Sequence, residues 1–184
     1  MTWPLLALIV LVGGAVMVTL VYFAASRIDR LHRRVDLSRT ALEVQLTRRA
    51  AAAANLALTG LWDPVTAIVV SSAAQSAAQA SPEAIEQSEL SQALCQALGD
   101  PDQLQSDLAD PDKREMLGEL WQTWYRAQLA RRFYNEAVVM TQRLRSRPGV
   151  RLFHLAGRVP LPKSCDIDDA APAGLEQLGP VPGA

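Results

Sequence analysis

His32 and His154 are the only histidines of the chain, and Cys95 and Cys165 its only cysteines. General acid–base catalysis needs a titrating group held within reach of its proton. His32 falls among arginines, whereas His154 falls in an apolar, proline-broken tail, so the two do not read as one site. The cysteines form no CxxC and have no histidine at ligand spacing. They read as free thiols of a reducing compartment, one packed and one in a tail. Asp166, Asp168 and Asp169 lack the glycine and downstream glutamate of a calcium loop. They read instead as a solvated acidic turn, or as partners for basic residues near a membrane. The chain holds no GxSxG, HExxH, P-loop or glycine-rich dinucleotide motif. No catalytic residue, cofactor or metal site is expected, and the protein is not read as an enzyme.

The polar residues of most interest are two arginine pairs, Arg48 with Arg49 and Arg131 with Arg132, the second followed by Tyr134, Asn135 and Glu136. One reading is structural. One arginine of each pair makes an ion pair, such as Arg132 with Glu136 at i, i+4, the other is solvated, and Tyr134 and Asn135 complete a buried network. The other reading is a site for an anionic ligand or partner. A separate basic set comprises Arg27, Arg30, Arg33 and Arg34 and, late in the chain, Arg143, Arg145, Arg147 and Arg151.

The elements that position these residues begin with Leu5–Ala25, which has no charged side chain. As a helix its 21 residues would extend about 31 Å, matching the ~30 Å hydrocarbon core of a bilayer. Residues 1–25 are therefore expected to be an uncleaved single membrane span with Trp3 and Tyr22 at its interfaces. No basic residue precedes it and four arginines follow within ten residues. The N-terminus is expected outside the plasma membrane and the body in the cytoplasm. A signal peptide would want a basic n-region and a shorter apolar core.

Residues 26–169 read as an all-α body, an antiparallel bundle of three to four helices. Outside the span, Ala, Leu, Gln, Glu and Arg dominate, which is helix composition. The first soluble helix buries Ile28, Leu31, Val35, Leu42, Leu46, Ala53 and Leu56 and stops near Gly60. Asp63–Pro64, Ser81–Pro82, Asp100–Pro101 and Asp110–Pro111 read as helix starts. Ile85, Leu90, Leu94 and Leu98 are expected inward on a helix over 82–98. A last long helix over 112–146 buries Leu117, Leu120, Trp124, Ala127, Tyr134 and Val138, widened by Trp121, Phe133, Ala137 and Leu144. Val150, Leu152, Phe153, Leu155 and Ile167 are expected along the bundle, and residues 170–184 read as a disordered tail with nothing to bury.

The net charge of -1 conceals segregation. Residues 26–49 carry +4, 50–112 carry -9, 113–163 carry +8 and 164–184 carry -4. Antiparallel helices of similar length would bring Arg143–Arg151 level with Arg27–Arg34, a basic neck facing anionic lipid headgroups. Nucleic acid is not an expected partner, because aromatic residues are not interleaved with the basic ones. A protein partner or a second copy is.

Gln45, Leu46, Arg48, Arg49, Asn55 and Leu56 resemble a QLxRR...NL signature of the LemA family. Arg131–Val138 resembles that family's ARRFYNxAV signature. Leu155, Ala156, Gly157, Pro160 and Asp166–Asp169 are similar to the LAG...P...EIDD ending of its actinobacterial branch. The resemblance spans residues 1 to about 170 and is most specific at RRFYN. It implies an antiparallel helical bundle on an N-terminal anchor, with no settled enzymatic activity. Ala50–Ala54 departs from the pattern, standing where many members carry an acidic residue and a proline, so a straighter first helix is expected.

Overall fold

The computed structural model describes residues 2–148, 160–172 and 174–178, except for the side chains of Thr2, Leu5, Val21, Ala24, Ala25 and Glu176. Five α-helices follow in order: α1 Thr2–Leu58, α2 Pro64–Gln79, α3 Ile85–Ala97, α4 Pro101–Ala109 and α5 Pro111–Arg145. A 3-10 turn, Leu175–Leu178, comes last. The described residues contain no strand, so the fold is all-α, with more helices than the three to four expected. The chain divides into two compact units, one of Met1–Leu37 with Glu136–Ser164 and one of Ser38–Asn135 with Cys165–Ala184.

α1 enters the first unit with its large apolar side chains uncovered: Leu8, Ile9, Val10, Leu11 and Val12 are all exposed. Among the described residues no helix is long and apolar enough to cross a membrane. Further along α1, Ile28 and Leu31 pack with Leu144 of α5.

In the second unit the helix boundaries follow from local capping. Asp63 accepts from the Val65 and Thr66 amides and Asp100 from the Asp102 and Gln103 amides. Asp110 accepts from the Asp112 amide. Each aspartate precedes a proline whose missing N–H is no loss in the first turn. Ser81–Pro82 departs from this pattern: Pro82 is buried outside any helix, and α3 starts at Ile85 after an uncapped Ala84. Ile85 is consequently exposed rather than inward. The chain is drawn into an extra turn there because Glu83 pairs with Arg39 and the Pro82 carbonyl accepts from Cys165.

The core of this unit unites Ala50, Ala53 and Leu56 of α1, Val70 and Ala74 of α2, Leu90 and Leu94 of α3, and Leu117, Leu120 and Trp124 of α5. α1 and α2 contribute mainly alanines to this core, and the indole of Trp124 is fully buried in it. Phe133, expected inside, is 54 % exposed. The tail differs most from expectation: Leu175 is fully buried in this core, with Ala171 and Leu178 packed against it. Gly174 makes the docking possible. Its φ of +105° suits glycine, and a Cβ there would lie 2.9 Å from Leu104. Val150, Leu152, Phe153, Leu155, His154 and residues 179–184 lie outside the described residues, whereas Ile167 is buried as expected.

Candidate functional site

The arginine pairs occupy very different surroundings within the second unit. Arg49 is fully buried, and among the described residues no carboxylate pairs with it. Its guanidinium donates to Ser91 Oγ at 3.1 Å, the Gln87 carbonyl at 2.9 Å and Gln87 Oε1 at 3.2 Å. It also lies 5.3 Å from the Trp124 ring centroid, a cation–π contact. Burial lowers its pKa to about 10, against the attraction of Asp169 and Cys95. It thus stays charged at neutral pH, stabilised by dipoles and a π face. Among the described residues its Nε has no hydrogen-bond partner. Arg48, one residue earlier on the helix, is exposed.

Arg131 is half-buried and donates to Asp169 in bidentate fashion, Nε to Oδ2 at 2.7 Å and Nη2 to Oδ1 at 2.8 Å. Of the second arginine pair, Arg131 is the one ion-paired among the described residues, and Arg132 and Glu136 are both exposed. Planar guanidinium–carboxylate pairing fixes direction as well as charge. It therefore registers the tail on α5. The same residue is held again through its backbone: the Asp169 carbonyl accepts from Trp124 Nε1 at 2.9 Å and Gln128 Nε2 at 2.6 Å.

Asn135 closes the upper end of this strap. Its amide nitrogen donates to the Cys165 carbonyl at 2.9 Å, and its oxygen accepts from the Cys165 amide at 2.8 Å. The Cys165 thiol is buried and donates to the Pro82 carbonyl at 3.1 Å. Burial, and then the charge of Glu83, push its pKa up to about 11. The Asp168 amide donates to Ser88 Oγ, and the half-buried Cys95 thiol donates to the Ala170 carbonyl. Asp166, Asp168 and Asp169 thus belong to a docked segment, in which Asp169 pairs with Arg131. Among the described residues, no His, Cys, Asp and Glu side chains gather as a metal site.

Tyr134 is buried beside a second ion pair, in which Arg39 donates to Glu83 at 2.6 and 3.1 Å. Burial first and Glu83 second raise the phenol pKa, opposed by Arg39, whose guanidinium hydrogen-bonds the tyrosine. Arg39 with Tyr134 and Arg49 with Trp124 together show that α1 and α5 run antiparallel in this unit.

The other basic set meets in the first unit. Arg27, Arg30 and Leu31 of α1 and Met140, Arg143, Leu144 and Arg147 at the end of α5 line a cleft of about 620 Å³. Arg33 and Arg34 are exposed on α1, Arg145 donates to the Pro160 carbonyl, and Arg151 lies outside the described residues.

Several participants carried a usable signal that charge spacing alone hid. Gln87 and Ser91 share the face of Leu90 and Leu94 at helical spacing, so they marked a polar pocket inside the core. Asp169 carried none, because three neighbouring aspartates look alike until the tail is docked. No family model matches the chain, nor does any curated protein or solved structure. The resemblance to the LemA family therefore rests on its motifs.

Proposed function

We propose that this protein is a single-pass, membrane-anchored helical bundle that serves as an adaptor or scaffold for membrane proteins. The observation that carries this reading is the start of α1. Leu8, Ile9, Val10, Leu11 and Val12 are consecutive and all exposed, and successive helical residues point about 100° apart. Apolar surface therefore faces every direction, which one neighbouring helix cannot cover and lipid can. In the sequence the uncharged stretch is Leu5–Ala25, 21 residues, about 31 Å as a helix. The four arginines that follow favour a cytoplasmic body and an outside N-terminus.

The adaptor part rests on surface rather than chemistry. Val65, Ile68 and Val69 stand exposed together on one face of α2, an apolar surface of the kind that binds other proteins. The motif resemblance to the LemA family agrees with an anchored bundle of this kind. An anionic ligand on the paired arginines is the weaker alternative, since Arg49 is enclosed and Arg131 is neutralised by Asp169. Crosslinking in intact membranes followed by mass spectrometry tests the adaptor reading. Crosslinks from α2 to a membrane protein or a second copy are expected, and their absence would contradict it.

A further inference from the structure

We propose that the cleft between α1 and the end of α5 holds one anionic phospholipid by its headgroup phosphate, a ligand assignment that rests on the membrane-anchored reading. Arg27, Arg30, Arg143 and Arg147 line it, and none of the four makes an ion pair among the described residues. Among the described residues no acidic side chain lines the cleft. Four like charges held together without counter-charge repel one another, and an anion relieves that repulsion. Guanidinium forks match phosphate oxygens bidentately. The volume of about 620 Å³ lies within the range of sites that enclose small ligands.

Two features favour a lipid over a free anion. The cleft is also lined by apolar side chains that keep accessible surface, Leu31, half-buried, and Met140, exposed. A glycerol backbone and the first acyl methylenes would cover them, as inorganic phosphate would not. Arg27 and Arg30 also follow the apolar stretch of α1 at once, at the depth where phosphates of a bilayer lie once that stretch is in lipid. Four donors fit a phosphate carrying more than one charge, so phosphatidate is the natural probe.

The test uses the full-length chain in dodecylmaltoside micelles, which present lipid whether or not the chain inserts into a bilayer. Native mass spectrometry should show one dioleoyl phosphatidate bound saturably, and dioleoyl phosphatidylcholine at least about tenfold more weakly. The pair R27Q/R143Q should weaken phosphatidate at least about tenfold. The pair R114Q/R126Q removes the same charge outside the cleft and should leave binding unchanged. All four side chains are exposed, and circular dichroism checks that both variants fold. Equal loss in both variants would show diffuse surface attraction and overturn the proposal. Absence of saturable binding would do the same, as would competition by inorganic phosphate at matching concentration, which would mark a free-anion site. Alkaline extraction of membranes tests the anchor separately, so failure of the cleft and failure of the anchor give different results.

Discussion

Arg49 and Arg131 share a residue type and differ in every consequence. Truncating Arg49 to methionine would remove a buried charge but leave the Gln87 carbonyl, Gln87 Oε1 and Ser91 Oγ without their donor. The expected loss is about 2–4 kcal/mol of unfolding free energy, read by urea titration. Arg131→Ala would strand the half-buried Asp169 carboxylate, so amide exchange should rise over Asp166–Leu178 while the helices keep their protection. Arg48→Ala and Arg132→Ala, at exposed positions, should stay within about 0.5 kcal/mol of wild type. Cys165 sets a pH dependence. Its thiol ionises near 9.0 when unfolded and near 11 when folded. The folded state thus holds its proton longer, and the stability from this group is full below pH 9 and lost as pH rises to about 11. Cys165→Ala should remove that slope.

At the scale of the element, the tail strap is the part the sequence concealed. The inward stripes of α1 and α5 were legible because buried residues recur at helical spacing: Ile28, Val35, Leu42, Leu46, Leu117, Leu120, Trp124 and Val138 are all buried as expected. Three of four proline-marked helix starts were legible through their aspartates. The fourth failed because a long-range pair, Arg39 with Glu83, decides the path there. Residues 165–178 escaped because what holds them is mostly backbone carbonyls and amides, which leave no trace in side-chain pattern. The arginine pairs were visible as a constellation, but their partners lie 38 residues or more away and no spacing rule selects them. Gly174→Ala would force a side chain into positive φ and against Leu104, at a cost of about 1–3 kcal/mol. Leu175→Ala should cost about 2–3 kcal/mol by opening a cavity at a fully buried site. Both should make the tail a preferred point of limited proteolysis, with the helical signal in circular dichroism retained.

At the scale of the whole molecule, the sequence separates its functions along the chain. Uncharged residues come first, a basic block next, then acidic helices, then a second basic block. Placement of charge, rather than its near-zero sum, decides what the protein meets. The basic blocks contribute to a shared cleft, whereas Leu8, Ile9, Val10, Leu11 and Val12 at the start of α1 are exposed. The central claim is that this start of α1 anchors the body in a bilayer. Extraction of native membranes with alkaline carbonate tests it most directly. The account predicts that the full-length chain stays in the membrane pellet and is released by detergent alone; its recovery in the carbonate supernatant would contradict the account.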